Sequence, residues 1–233
     1  MRKIFITLMM MCLASVMSFA QITNSINVGD FNAINISGDI SVLLTTEGDD
    51  NFTYELPENV DESQLDWENK GGVLTVKLKS QLVLGKGKKV KPTAKVTIVY
   101  SELESIEVSS SASVLADETL ESDMLDIKLG MSASVAINVD VRNLDINAMT
   151  SSKITLGGSV EYLTIKASSA AYVNTITMDC DNALINTSTN AECYATSKVK
   201  FEAKATTNSN IFYKGDPEIV KTSSASLGAV EHF

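Results

Sequence analysis

Apolar and polar residues alternate with a period of two in the first hundred residues. In Phe31-x-x-Ile34-x-Ile36-x-Gly38-x-Ile40-x-Val42-x-Leu44 the apolar side chains fall on one face, the signature of a half-buried strand. Val73-Leu74-Thr75-Val76-Lys77-Leu78 and Val96-Thr97-Ile98-Val99-Tyr100 behave the same way. Turn material separates these runs: Glu47-Gly48-Asp49-Asp50, the acidic stretch Pro57 to Asp66, Gly71-Gly72, and the basic loop Gly85-Lys86-Gly87-Lys88-Lys89. A short turn near Asp61 to Leu65 is the one helical expectation.

From Ser101 onward the chain repeats itself. An apolar residue is followed five positions later by a small one, and three positions after that by a second apolar one. The series runs Ile106-Ser111-Val114, Ile127-Ser132-Val135, Ile146-Ser151-Ile154, Ile165-Ala170-Val173, Ile185-Asn190-Cys193, Ala203-Asn208-Ile211 and Ile219-Ser224-Leu227. The central positions advance by 21, 19, 19, 20, 18 and 16 residues, which suits one solenoid coil per unit.

A lone coil of short strands cannot bury its inward face, so it must stack on a neighbour. Stacked parallel strands lie about 4.8 Å apart and set like above like. The fold expected is therefore all-β: a parallel β-helix-like solenoid of about seven C-terminal coils, preceded by a strand-rich N-terminal portion. Ser111, Ser132, Ser151, Ala170, Asn190, Asn208 and Ser224 form a structural ladder where the coil bends, because small side chains fit a tight corner and Asn tolerates left-handed backbone. A β-sandwich has no reason to keep the five-then-three offset through successive units. A Ser/Thr-rich stalk would not carry the apolar columns. The expected layout is a leader over residues 1–20, an N-terminal β region over 21–100 that packs on or continues the solenoid, and repeats over 101–233, with 21–233 continuous.

The leader changes the compartment. Arg2 and Lys3, the apolar run Ile4 to Val16, and Ser18-Phe19-Ala20 before Gln21 have the three-part layout of a cleavable secretory signal. The run is shorter than the ~20 residues a spanning helix needs, and no later stretch is comparable, so no membrane span is expected after cleavage. Cys12 lacks the neighbours of a lipid-attachment cysteine. Losing Arg2 and Lys3 with the leader takes the net charge from −10 to −12 and leaves Arg142 as the mature chain's single arginine. Such a charge opposes binding to nucleic acid or anionic lipid.

Nothing in the pattern assembles a catalytic site. The only histidine, His232, stands second from the C-terminus, and the serines recur at a structural position. Cys180 and Cys193 share no CxxC spacing and read as buried small hydrophobes, bridged or free. Polysaccharide-cleaving chemistry on a β-helix needs gathered carboxylates. The candidates are Asp179 with Asp181, Asp140 with Asp145, and Asp123 with Asp126, for which a solvated outer face is the plainer reading. The Gly85 to Lys91 loop lacks phosphate-loop spacing, and Asp49-Asp50 and the Asp61 to Glu68 cluster lack calcium-loop spacing. No cofactor or metal is expected. Tyr172, Tyr194 and Tyr213, spaced by 22 and 19 residues, follow the coil period and are the candidate ligand-stacking strip.

The opening Phe31-Asn32-Ala33-Ile34-Asn35-Ile36-Ser37-Gly38-Asp39-Ile40-Ser41-Val42, the middle Gly72-Val73-Leu74-Thr75-Val76, and the later small-residue corners resemble the auto-transporter adhesin, head GIN domain, family of exported Gram-negative bacterial proteins. Nearly the whole mature chain carries the likeness. The resemblance implies a right-handed β-helical structure and an adhesin-like role, with no catalytic residues to carry over. Where that family shows Gly-Ser-Gly corners, this chain has Ser110-Ser111-Ala112-Ser113, Met131-Ser132-Ala133-Ser134, Thr150-Ser151-Ser152, Ser169-Ala170-Ala171 and Ser223-Ser224-Ala225-Ser226. Without glycine, a corner of positive φ becomes questionable. Tyr213-Lys214-Gly215-Asp216-Pro217 keeps the family's late turn.

The functional expectation is a non-enzymatic binding or adhesin-like scaffold in the periplasm, on the outer surface or secreted, with an unidentified macromolecular partner such as an envelope or host glycan or protein. The alternatives are a carbohydrate-binding or carbohydrate-active β-helix protein and a structural envelope component that self-associates through its sheet edges into a homo-oligomer.

Overall fold

A computed structural model describes residues 24–48, 51–57, 60–79 and 93–233. The leader, Cys12, Asp49-Asp50 and the loop of residues 85–91 lie outside the described residues. In the N-terminal part the strands are β1 (Asn24–Ile26), β2 (Ala33–Ser37), β3 (Ile40–Thr45), β4 (Phe52–Glu55), β5 (Leu65–Lys70), β6 (Val73–Leu78) and β7 (Ala94–Val99). Among the described residues the one helical turn is a 3₁₀ segment at Glu62–Gln64, capped by Asp61. The repeats form β8 (Ser105–Ser109), β9 (Ser113–Ala116), β10 (Leu120–Leu129), β11 (Ser134–Ala148), β12 (Lys153–Ala167) and β13 (Tyr172–Thr187). The last coils hold β14 (Glu192–Thr196), β15 (Lys200–Thr206), β16 (Asn210–Lys214), β17 (Ile219–Ala225) and β18 (Ala229–His232).

The eighteen strands of the described residues join one hydrogen-bonded sheet that winds into a β-solenoid. Ile127, Ile146, Ile165 and Ile185 stand directly above one another. The same inward column runs back through Ile106 to Ile34 and Leu74, and forward to Ala203 and Thr222. The N-terminal strands thus add two rungs to the seven of the repeats, and the buried side chains form one core cluster. Each fully buried Ile or Leu contributes on the order of 1.5–3 kcal/mol, which makes this column the main source of stability.

The rungs do not follow chain order. The β2–β3 rung is sandwiched between β6–β7 and β8–β9. Beyond β6 and β7 the ladder turns antiparallel, with β5 on β6, β4 on β7 and β1 on β4. Phe52 fills this end beneath Tyr54 and Trp67, with ring centroids 5.9 and 5.8 Å away, while β5 shows Asp66, Glu68 and Lys70 to solvent. A charged edge discourages further pairing. At the other end β17 pairs only with β15 and β18 only with β16, and all seven residues of β17 are exposed.

The corners resolve the glycine question. Seven consecutive pairs take positive φ without glycine: Ser110-Ser111, Met131-Ser132, Thr150-Ser151, Ser169-Ala170, Thr189-Asn190, Thr207-Asn208 and Ser226-Leu227, all with φ between 50 and 70°. Two successive left-handed residues make a type I′ turn, closed for example by Ala133 N–H to Gly130 O at 3.1 Å. A side chain there costs about 1–2 kcal/mol per residue. Bonds between coils offset part of that: Ser111, Ser132, Ser151, Ala170, Asn190 and Asn208 each donate a backbone N–H to the corner carbonyl of the next coil at 2.9–3.1 Å. The sharper demand for a small residue lies one position later, where Ala112, Ala133, Ser152, Ala171, Ala191 and Ser209 are buried.

Ser111, Ser132, Ser151, Ala170, Asn190 and Asn208 stand at six successive corners, and at the seventh coil the corner does not fall at Ser224. Ser224 pairs with Ala205 inside the coil, and the corner is taken by Leu227, nineteen residues after Asn208. The inward positions of this coil are Val220, Thr222 and Ser224, and two of them are polar because no further rung covers them. Without an inward isoleucine, the apolar pattern attaches to Ile219 instead. The 20-residue step between Ala170 and Asn190 has its own cause, a bulge in β13 between Asn174 and Thr177, where Ile176 N–H donates to Asn174 Oδ1 at 3.1 Å.

The corner strain is testable. Ala170→Gly is expected to raise stability by up to about 1 kcal/mol by removing a Cβ from left-handed backbone, whereas Ala133→Gly, which empties a buried position, lowers it by a similar amount. Chemical denaturation of both variants checks this, and equal destabilisation by the two would rule out corner strain.

Candidate functional surfaces

Three groups of outward or chemically notable residues emerge. The first is an open groove of about 470 Å³ where β11, β12 and β13 bend, lined by Asp140, Arg142, Ser159, Glu161, Asp179, Asp181 and Lys198. The ladder places Asp140, Ser159 and Asp179 in one row, with Arg142, Glu161 and Asp181 two residues further along. Ser159 Oγ donates to Asp140 at 2.6 Å, Lys198 pairs with Asp179, and Arg142 Nε lies 3.9 Å from Glu161. Asp140, Asp179 and Asp181 are therefore brought together, although the sequence pairs Asp140 with Asp145. Asp145 stacks instead on Asp126, which holds Lys128 at 2.5 Å, and Asp123 lies apart on β10. A general acid needs an apolar, dehydrated surrounding to keep its proton. This groove is polar and open, and each of its bonded carboxylates already accepts from a donor.

The second group is an aromatic strip. Tyr172 and Tyr194 have centroids 5.8 Å apart, Tyr194 stacks on Phe212 at 5.0 Å and 20°, and Phe233 meets Phe212 edge-on at 6.3 Å. Lys153 Nζ lies 5.7 Å from the Tyr172 ring and Lys214 Nζ 5.0 Å from that of Phe233. Tyr213 does not join. It sits on the inward-facing register of Ala195, stacks at 4.0 Å on buried Phe201 and touches His232. Phe212 takes the place the sequence assigns to Tyr213. The local step of 18 residues from Asn190 to Asn208, added to Tyr194, points to it. Tyr194 and Phe212 face each other along the stacking direction, so their flat faces are turned to neighbouring rings. Tyr194 donates to Glu192 at 2.5 Å, and that bond pushes its hydroxyl up to about 12.

The third group is the cysteines, which are both free and buried. Burial first, then Asp181 and Asp179, push the Cys180 thiol up to about 12, and burial raises Cys193 as well. Neither is a thiolate at neutral pH, so neither has the character of a nucleophile. His232 Nε2 lies 2.8 Å from Gly215 O at the exposed C-terminal coil. Among the described residues no three His, Cys, Asp or Glu side chains are grouped to hold a metal, and no helix is long and apolar enough to cross a membrane.

Fold and surfaces together define a parallel β-solenoid whose outward columns carry its variety. The chain belongs to the family described as "Putative auto-transporter adhesin, head GIN domain", which matches residues 30–217. Among solved structures, one described as a "putative adhesin" from Bacteroides fragilis superposes with a TM-score of 0.78 at 19% identity, covering 91% of this chain and 96% of that one. Another "putative adhesin", from Parabacteroides merdae, gives 0.71 at 19% identity, covering 91% and 95%. A "Putative lipid binding protein" from Parabacteroides distasonis gives 0.67 at 18% identity, covering 91% and 96%. At such identities the likeness establishes the fold. No curated protein matches the chain.

Proposed function

We propose that this protein is an exported, non-enzymatic binding scaffold of the cell envelope or its exterior, which presents the outward columns of its solenoid to another macromolecule. The observation that carries the reading is the parallel register of β11, β12 and β13, which repeats the same outward positions over three full coils on either side of the single bulge in β13. Repetition of this kind makes an extended surface and gives no single point of chemistry. Family membership supports it, as does the signal-like layout of residues 1–20.

Immobilised residues 21–233 are expected to retain an envelope or host glycan or protein saturably, without turnover. The same preparation is assayed for polysaccharide cleavage. Turnover abolished by Asp179→Ala or Asp181→Ala would overturn the non-enzymatic reading and place chemistry in the groove between β11 and β13.

A further inference from the structure

We propose that the outward column Lys128, Asn147, Lys166, Asn186 and Lys204 is a track for a linear anionic polysaccharide lying along the solenoid axis. This rests on the binding-scaffold reading and supplies its partner's chemistry. The five residues are consecutive partners in the parallel ladder. Rungs about 4.8 Å apart put successive lysines about 9.6 Å apart, with an amide between each pair.

The local charge is opposite to that of the molecule. A groove of about 300 Å³ is lined by Asn147, Lys166, Asn186 and Lys204 with Ser168 and Thr206 among the flanking hydroxyls, and no carboxylate lines it, on a chain with 29 acidic and 19 basic residues. Both groove lysines are exposed, and among the described residues neither has an ion pair. Other lysines of the same coils are engaged: Lys128 by Asp126, Lys198 by Asp179, and Lys200 and Lys221 by Glu202 at 3.0 and 3.1 Å. Glu202, which precedes Lys204 by one outward position, is thereby already committed to two partners.

The chemistry selects the class of ligand. Amides and hydroxyls both donate and accept, which suits the hydroxyls of a sugar, while the two free ammonium groups require an anion. Their wide spacing fits a polymer with one acid every other rung. It does not fit a duplex with a charge about every 1.7 Å, which the acidic body would also repel. The column repeats by rung, so an extended chain can keep its contacts from coil to coil.

The test measures binding of residues 21–233 to immobilised hyaluronate, which carries one carboxylate per disaccharide, and chondroitin sulfate, with neutral dextran and phosphatidylglycerol vesicles in parallel. Binding to at least one of the two polyanionic glycans, but not to dextran, is expected. The double variant Lys166→Gln, Lys204→Gln is expected to weaken it about tenfold and to flatten its salt dependence. The control Lys79→Gln, Lys95→Gln, whose lysines are ion-paired with Asp66 and Glu55 away from the track, should leave it within about twofold. All four side chains are exposed, and thermal melts confirm that both variants fold. Absence of glycan binding, preference for the vesicles, or equal loss in the two double variants would each overturn the track. If the wild-type chain still retains an envelope component that the Lys166, Lys204 variant retains equally, the scaffold reading stands and the track alone fails.

Discussion

Gly158→Ala is expected to lower the melting temperature by about 10 °C, corresponding to a loss of about 3 kcal/mol or more for a chain of this size. Gly158 has φ of +102° in the middle of β12, and a Cβ added there would enter the backbone of Val139 on the adjacent coil. Neither problem has a cheap escape. The backbone conformation is one that side-chain-bearing residues rarely adopt, and the clashing atom is a carbonyl oxygen fixed by the ladder, so relief requires parting two coils. Gly130→Ala provides the contrast, since a Cβ there meets nothing nearer than a Met149 side-chain atom at 3.8 Å. Thermal unfolding of the two variants is the measurement. A Gly158→Ala protein that melts with the wild type would mean that the coils do not approach as described.

Phe201→Ala is expected to cost about 3–5 kcal/mol in urea unfolding, the range for emptying a fully buried aromatic position. Phe201 has no exposed surface and stacks on Tyr213 at 4.0 Å, and it stands between Ala183 below and Val220 above. With Ile211 it is one of the last two fully buried large side chains under the C-terminal coil. Val220, one rung further, is 46% exposed, so Val220→Ala should cost much less, under about 1 kcal/mol. Easier proteolysis of β17 and β18 should accompany loss of the phenylalanine, because those strands are paired on one edge only. Equal costs for the two substitutions would show that the core ends a coil earlier than the stacking indicates.

The repeat was legible wherever burial enforces it. Ile127, Ile146, Ile165 and Ile185 announce their column because each is covered above and below, so every coil selects an apolar residue at that offset. The last coil escaped the same reading because Thr222 and Ser224 have no rung above them, and the register slid to Ile219 and Ser224. Corner conformation escaped for another reason: seven glycine-free pairs hold positive φ through bonds between coils, which local propensity does not record. The candidate surfaces were read in part. Tyr172 and Tyr194 meet as their spacing suggests, while Tyr213 turns to the inward register one residue past Phe212.

Period-two alternation and the five-then-three offset were enough to determine strands, stacking and the inward columns, since hydrophobic burial leaves its record in every residue it selects. Other features depend on which strands become neighbours. Placement of β2 and β3 between later rungs, the antiparallel covering of one end and the open edge at the other arise from pairing between distant segments. Charge is the clearest case. Composition describes one acidic molecule, but the ladder gathers Lys166 and Lys204 into a groove without carboxylates, because electrostatics acts through spatial distance and only the coil period converts sequence separation into proximity.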